Sequence, residues 1–209
     1  MEALLQLDGA ALLWIQENLR NAFLNPIVTF ITHLGDHGYL WIGLLLILLA
    51  IPKTRKAGLI GAGTLLLTFL LNNQVIKPLV ARTRPYEVIE GLTILIKKPG
   101  EFSFPSGHTA NSMAVGVVLF MISQQYQKLG DKKLYFPKAA GWFFLILSIL
   151  IGLSRLYVGV HYPTDVLGGA AVAVFDAWVV FSIYKIILTF QRKKSNKKKN
   201  KKSSKRRKY

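Results

Sequence analysis

Cysteine is absent from the 209 residues, which excludes a disulfide framework, a thiolate metal site and a cysteine nucleophile. Acid is scarce as well, with 10 Asp and Glu against 27 Lys and Arg. So few carboxylates leave little material for a divalent-metal site, whose hard cation asks for several oxygen ligands. Charged residues of both signs make up 18% of the chain and hydrophobic residues 52%, whereas an ordinary soluble domain carries roughly 25% charge. So much apolar chain with so little charge must be covered by lipid. Residues 1–20 also lack the basic start and unbroken apolar run of a cleaved leader, because Glu2, Asp8 and Glu17 interrupt them. No cleaved leader is expected.

Long apolar runs are what the chain does have. They fall at about residues 38–52, 58–76, 108–125, 139–154 and 165–189, and predict an all-α, polytopic membrane bundle of five transmembrane helices. Several runs are shorter than the ~20 residues that a bilayer core demands, so polar residues at their ends must complete each crossing. Residues 23–34 place Phe23, Leu24, Ile27, Val28, Ile31 and Leu34 at helical spacing beside polar neighbours, the pattern of an interfacial helix. Residues 3–19, with Trp14 as a headgroup anchor, make a second interfacial helix or, if they enter the bilayer, a sixth span. The expected division is therefore an N-terminal interfacial region over 1–36, a membrane domain over 37–190 and a tail over 191–209. Twelve of the 27 cations lie in that tail, which leaves 15 against 10 acids, or +5, for the rest. The tail holds no acid and few apolar residues, so it is expected to be disordered and, directly following a span, to lie on anionic lipid rather than on nucleic acid.

Cations in short loops orient the bundle. Lys53, Arg55 and Lys56 follow the first run, Lys128, Lys132, Lys133 and Lys138 separate the third from the fourth, and the tail follows the fifth. These segments belong in the cytoplasm. The alternate connections then face outward in a cell membrane, although they carry Lys77, Arg82, Arg84, Lys97, Lys98 and Arg155. One explanation is incomplete topological bias, tempered by Glu87, Glu90 and Glu101; the sharper one is an anion site. The company these cations keep favours the second. Lys77 closes the second run and Arg84-Pro85 follows; Pro105-Ser106-Gly107-His108 opens the third; Ser154-Arg155 ends the fourth, with His161 and Asp165 just beyond. Arg84 and Arg155 can each grip two phosphate oxygens and Lys77 adds a point charge, while Ser106 and Gly107 offer a hydroxyl and open amides at a helix N-terminus. Phosphoryl transfer consists mainly of positioning and of stabilising charge on the equatorial oxygens, which such a cradle supplies without a metal or other cofactor. Asp165, four residues after His161, can hold one ring nitrogen and leave the other free to attack. His108 has no carboxylate beside it in sequence and suits the acid that protonates the leaving group.

In this order and at this spacing, the three segments resemble the signature of the type 2 phosphatidic acid phosphatase superfamily, integral-membrane lipid phosphatases that share a core with vanadium haloperoxidases. The resemblance covers roughly residues 77–165 and the flanking runs. It implies that Lys77, Arg84, Ser106, Gly107 and Arg155 bind phosphate, that His161 becomes phosphorylated with Asp165 orienting it, that His108 protonates the leaving group, and that no metal is needed. It further implies a bacterial enzyme acting on undecaprenyl diphosphate, phosphatidylglycerol phosphate or phosphatidic acid. The rival readings are a non-catalytic lipid-phosphate tether, for which two histidines and an orienting acid would have no use, and a vanadate-dependent oxidase, which the membrane runs disfavour.

Other features point to structure. His33, Asp36 and His37 have metal-site spacing but too few carboxylates around them, and are expected to form a turn. Asp176, deep in the fifth run, is expected to hydrogen-bond a neighbouring helix. Gly168, Gly169, Ala170 and Ala171 allow close helix approach.

Overall fold

The computed structural model describes residues 2–131 and 134–206, with side chains over 5–131 and 134–197. Among these residues all regular structure is helical. Helices α1 (Glu2–Asn18) and α2 (Leu24–His33) lead through a 3₁₀ turn, Asp36–Gly38, into α3 (Tyr39–Ala50). Helix α4 (Arg55–Thr68) continues through π-helical turns, Phe69–Ile76, into the short α5 (Lys77–Val80) and α6 (Pro85–Val88), and the bundle is completed by α7 (Gly107–Leu129), α8 (Lys138–Tyr157) and α9 (Pro163–Arg206). The π-helical widening comes just before Pro78, whose ring cannot donate a backbone bond and crowds the preceding turn.

Helix α7 is the axis. Its Val115, Val118, Leu119 and Ile122 are fully buried among Trp41 and Leu45 of α3, Ile60 of α4, Ile151 of α8 and Phe181 of α9. Burial inside protein lets α7 carry polar residues, and Ser112 accepts a hydrogen bond from the Trp41 indole at 2.8 Å. The outer surfaces of α8 and α9 are the reverse of a soluble protein's, with Trp142, Phe143, Ile146, Phe175, Trp178, Ile186 and Phe190 all exposed. Such a surface is at home only in lipid.

By length and apolarity, three stretches qualify to cross a membrane: Arg55–Val88, Lys138–Tyr157 and Pro163–Lys197; Leu24–His33 with Asp36–Ala50, bent by 46°, makes a fourth if counted as one. Five or six were expected from sequence. The 23-residue α7 is long enough but too polar to qualify, for the enclosure just described. Helix α2, expected at the interface, is tied into the bundle: Thr32 is fully buried and accepts a hydrogen bond from Arg155 of α8 at 2.7 Å. Thr32 faces the bundle interior, whereas His33 beside it is exposed. Residues 191–206, expected to be disordered, continue α9 as helix to Arg206; residues 207–209 lie outside the described residues. Lys, Arg, Gln and Ser are adequate helix formers, and the span ahead of them has already met the cost of nucleation. At the end where these cations begin, Lys56 contacts Asp131 and Arg192 contacts the Leu129 carbonyl, so the connections expected in the cytoplasm share one end of the bundle.

Two close approaches set how the helices pack. A Cβ on Gly116 of α7 would meet Ser148 Oγ and would stand 2.8 Å from the Phe144 carbonyl oxygen of α8, and one on Gly169 of α9 would stand 2.7 Å from the Ser106 carbonyl oxygen. Backbone cannot move aside as a side chain can. Gly116→Val therefore destabilises the detergent-solubilised protein by about 1–3 kcal/mol, read as a lowered melting temperature. An unchanged melt would show that α7 and α8 do not pack this closely.

Candidate active site

The end of the bundle opposite the Lys56, Asp131 and Arg192 contacts gathers all eight sequence-predicted site residues. Lys77 follows the π-helical turns at the head of α5; Arg84 precedes α6; Ser106 caps α7; Arg155 lies in the last turn of α8; and Asp165 lies in the first turn of α9. The Ser106 backbone N–H donates to the Asp165 carbonyl at 3.0 Å, tying the third segment of the pattern to the second. Ser106 Oγ accepts from Thr109 Oγ1 at 2.9 Å, and a Cβ on Gly107 would come within 3.6 Å of Lys77 Nζ. Only a glycine leaves the helix N-terminus this open to the ammonium group.

Lys77, Arg84 and Arg155 are all buried. Arg84 donates from Nε to the Glu101 carbonyl at 2.7 Å and from Nη1 to the Val160 carbonyl at 2.8 Å. Arg155 donates to Thr32, while its buried Nε has no protein partner. An arginine left partly unsatisfied in a buried site is matched to an anion. A cavity of about 570 Å³ reaches Lys77, Arg84 and Glu101 from outside.

His161, 1% exposed, lies beneath Arg84. Arg84 Nη1 stands 3.2 Å from His161 Nε2, and Asp165 Oδ2 stands 3.3 Å from Nδ1. A guanidinium can only donate and a carboxylate only accept, so these contacts select one tautomer: the proton sits on Nδ1 and the lone pair on Nε2. Burial above all, with the Arg84 and Arg155 charges, pushes this imidazole down to about 3 against the opposing Asp165 hydrogen bond. The ring is neutral at physiological pH, with its lone pair turned toward the forked cation.

Sequence reasoning missed several participants. Asp36 Oδ1 lies 2.8 Å from His108 Nε2, and its Oδ2 lies 2.7 Å from His33 Nδ1. His108 therefore has its carboxylate partner, delivered from 72 residues away, and the signal was the His33-Asp36 spacing read as a turn. Ser103 donates to Asp165 Oδ2, as does the Tyr162 backbone N–H at 2.9 Å. Glu101 accepts from Lys77 Nζ at 2.7 Å with its side chain 68% exposed. Asp176 behaves as expected, accepting from Thr68 of α4 at 2.7 Å.

The family model for the PAP2 superfamily matches residues 57–187. The chain belongs to that superfamily. An undecaprenyl-diphosphatase of Sulfolobus acidocaldarius is 31% identical over 83% of this chain and 75% of its own length. Phosphatidylglycerophosphatase B of Bacillus subtilis is 32% identical over 84% and 82%. The crystal structure of a transmembrane PAP2-type phosphatidylglycerolphosphate phosphatase from Bacillus subtilis superposes with a TM-score of 0.71, at 30% identity, covering 90% of this chain and 89% of that one. The PAP2 match leaves out residues 1–56, so α1, α2 and α3 stand beside the part that defines the family.

Glu101 holds the ammonium group that a phosphate would need, and the Lys77 hydrogen bond keeps its carboxyl below the usual range. Lys77 is buried but the carboxylate end of the pair is exposed and screened by solvent, so the pair contributes only about 0.2–1 kcal/mol. In this PAP2 protein, Glu101→Gln is expected to lower KM for a phosphate substrate by about 1.4–5-fold, the same energy expressed as a ratio. Because the carboxyl stays ionised below its ordinary value, the difference persists to about pH 5. A KM that rises instead would make Glu101 part of substrate binding.

Proposed function

We propose that this protein is a membrane lipid phosphatase that removes the terminal phosphate of a lipid phosphate or diphosphate through a phosphohistidine on His161. The observation that carries this reading is the pair of contacts on the His161 ring, with Asp165 on Nδ1 and the Arg84 cation beside the unprotonated Nε2. Nε2 attacks phosphorus as the bond from phosphorus to the leaving oxygen breaks. Lys77, Arg84, Arg155, the Ser106 hydroxyl and the Gly107 amide hold the equatorial oxygens. His108 gives a proton to the departing oxygen, then takes one from the water that cleaves the phosphorus–nitrogen bond and releases inorganic phosphate. Asp36, partly exposed, connects His108 to solvent.

The names of its relatives make undecaprenyl diphosphate and phosphatidylglycerol phosphate the substrates to test first, with phosphatidic acid added from the resemblance of the sequence pattern. Helix α7, enclosed by its neighbours, serves as a further span and brings the total to five with the bent pair. The site then faces the extracytoplasmic surface of a cell membrane, and the basic end of α9 lies on anionic lipid in the cytoplasm, where each cation adds ~1 kcal/mol.

In detergent with a chelator present, the wild-type protein is expected to release inorganic phosphate from at least one of these lipids. His161→Ala lowers that rate by a factor on the order of 10⁴ while leaving the melting temperature within a few degrees. Substantial turnover by this variant would remove the nucleophile assignment, and a requirement for added magnesium would place the protein in another mechanism.

His108→Ala is expected to impair substrates with poor, alkoxide-like leaving groups by about 10²–10⁴-fold and those with activated aryl leaving groups much less. Equal losses across such a series would rule out proton donation by His108.

A further inference from the structure

Arg82 belongs to none of the proposed phosphate contacts, yet its guanidinium is the one of the site's arginines that pairs with two buried carboxylates. Nη1 donates to Asp165 Oδ1 at 2.7 Å and to Thr164 Oγ1 at 2.6 Å, Nη2 donates to Asp8 Oδ2 at 2.8 Å, and the group lies 3.9 Å over the centre of the Tyr162 ring. Asp8 comes from α1, outside the PAP2 match, and is 3% exposed. Its other bonds are to Thr164, whose backbone N–H donates to Oδ1 at 3.2 Å and whose hydroxyl contacts Oδ2. A chain of alternating charge thus runs from Asp8 through Arg82 to Asp165 and ends on the neutral His161 ring.

We propose that Arg82 and Asp8 are positioning residues for the His161–Asp165 pair, with the N-terminal helix supplying the acid that completes the catalytic centre. The proposal rests on reading His161 as the nucleophile. Two physical arguments support it. The first is orientation. Arg82 takes Asp165 Oδ1, so the carboxylate cannot rotate, and Oδ2 is left to the Tyr162 N–H, Ser103 and His161. A carboxylate fixed this way holds the imidazole in the tautomer that leaves Nε2 free, as the outer partners of metal-bound histidines do. The second is charge. Arg82 alone would neutralise Asp165 and weaken its hold on the positive imidazole that forms when Nε2 attacks. Asp8 shares the guanidinium, so the trio keeps one net negative charge facing the ring. Tethering α1 to the bundle would need only a contact; it would not need a buried acid aimed at the back of the catalytic ion pair.

The test uses the full-length protein in mixed detergent micelles, with short-chain phosphatidic acid and farnesyl diphosphate as probes and the faster one kept. Arg82→Gln is expected to lower kcat by about 100-fold and Asp8→Asn by about 10-fold, with KM within twofold of wild type. Asp8→Asn keeps the shape and the acceptor oxygen, so it carries the test should Arg82→Gln fail to fold. Arg82→Lys keeps the charge but lacks the fork, and falls between wild type and Arg82→Gln. In an Asp165→Asn background, Arg82→Gln should remove less than a further twofold, because the carboxylate it positions is already gone. A kcat within twofold of wild type in both Asp8→Asn and Arg82→Gln, or a full additional loss in the Asp165→Asn background, would overturn the proposal. His161→Ala in the same assay separates the two readings. An active His161→Ala sinks the phosphohistidine mechanism itself, whereas an inactive one beside unimpaired Arg82 and Asp8 variants sinks only the positioning roles.

Discussion

Three buried cations stand close enough to feel one another at one end of the bundle. Taking each of Lys77, Arg84 and Arg155 out of water costs on the order of several kcal/mol, and their mutual repulsion adds to it. The arrangement persists because the backbone around it is held by other means: Arg84 donates to carbonyls of the 101–102 and 160 segments, and Arg155 to Thr32 of α2. Beneath the site, the fully buried Val115, Val118, Leu119 and Ile122 of α7 give a packed core against which the helix ends cannot shift. The apolar bundle absorbs the strain of concentrating positive charge, and that charge is what a phosphoryl group in flight requires.

The two histidines use this environment differently. His161 sits under Arg84 with its tautomer set from both sides, and the loss of water together with the surrounding cations keeps it neutral. His108 stands at the mouth of α7, against a carboxylate that reaches solvent. In the proposed mechanism one ring forms the bond to phosphorus and the other carries the proton. Both draw on the N-terminal region, His108 directly through Asp36 and Asp165 through the Asp8–Arg82 pair. The helices outside the PAP2 match are thus electrostatic parts of the centre that the match defines.

Much of this was legible in the linear chain. Runs of apolar residues announce helices in lipid because backbone polar groups have no other partners there, and the basic connections after the first, third and fifth runs do meet at one end. The phosphate cradle was legible because Arg-Pro, Ser-Gly-His and Arg followed by His and Asp are local patterns at helix ends. The polarity of α7 and α2 was harder to read, because hydropathy cannot distinguish a residue facing headgroups from one facing another helix. The basic end of α9 was harder for a related reason: composition speaks of the isolated chain, and a helix already begun upstream is not isolated.

By itself the sequence determined which polar and charged side chains stand together at helix ends, since charge, periodicity and spacing are written locally. Only the tertiary structure decided the partners: Asp36 for His108, Glu101 for Lys77, Arg82 for Asp165 and Asp8 for Arg82. Each of these joins residues from 24 to 83 positions apart. Nothing local records such a meeting, because it depends on which helix faces pack together and how closely small residues such as Gly116 and Gly169 let the backbones approach.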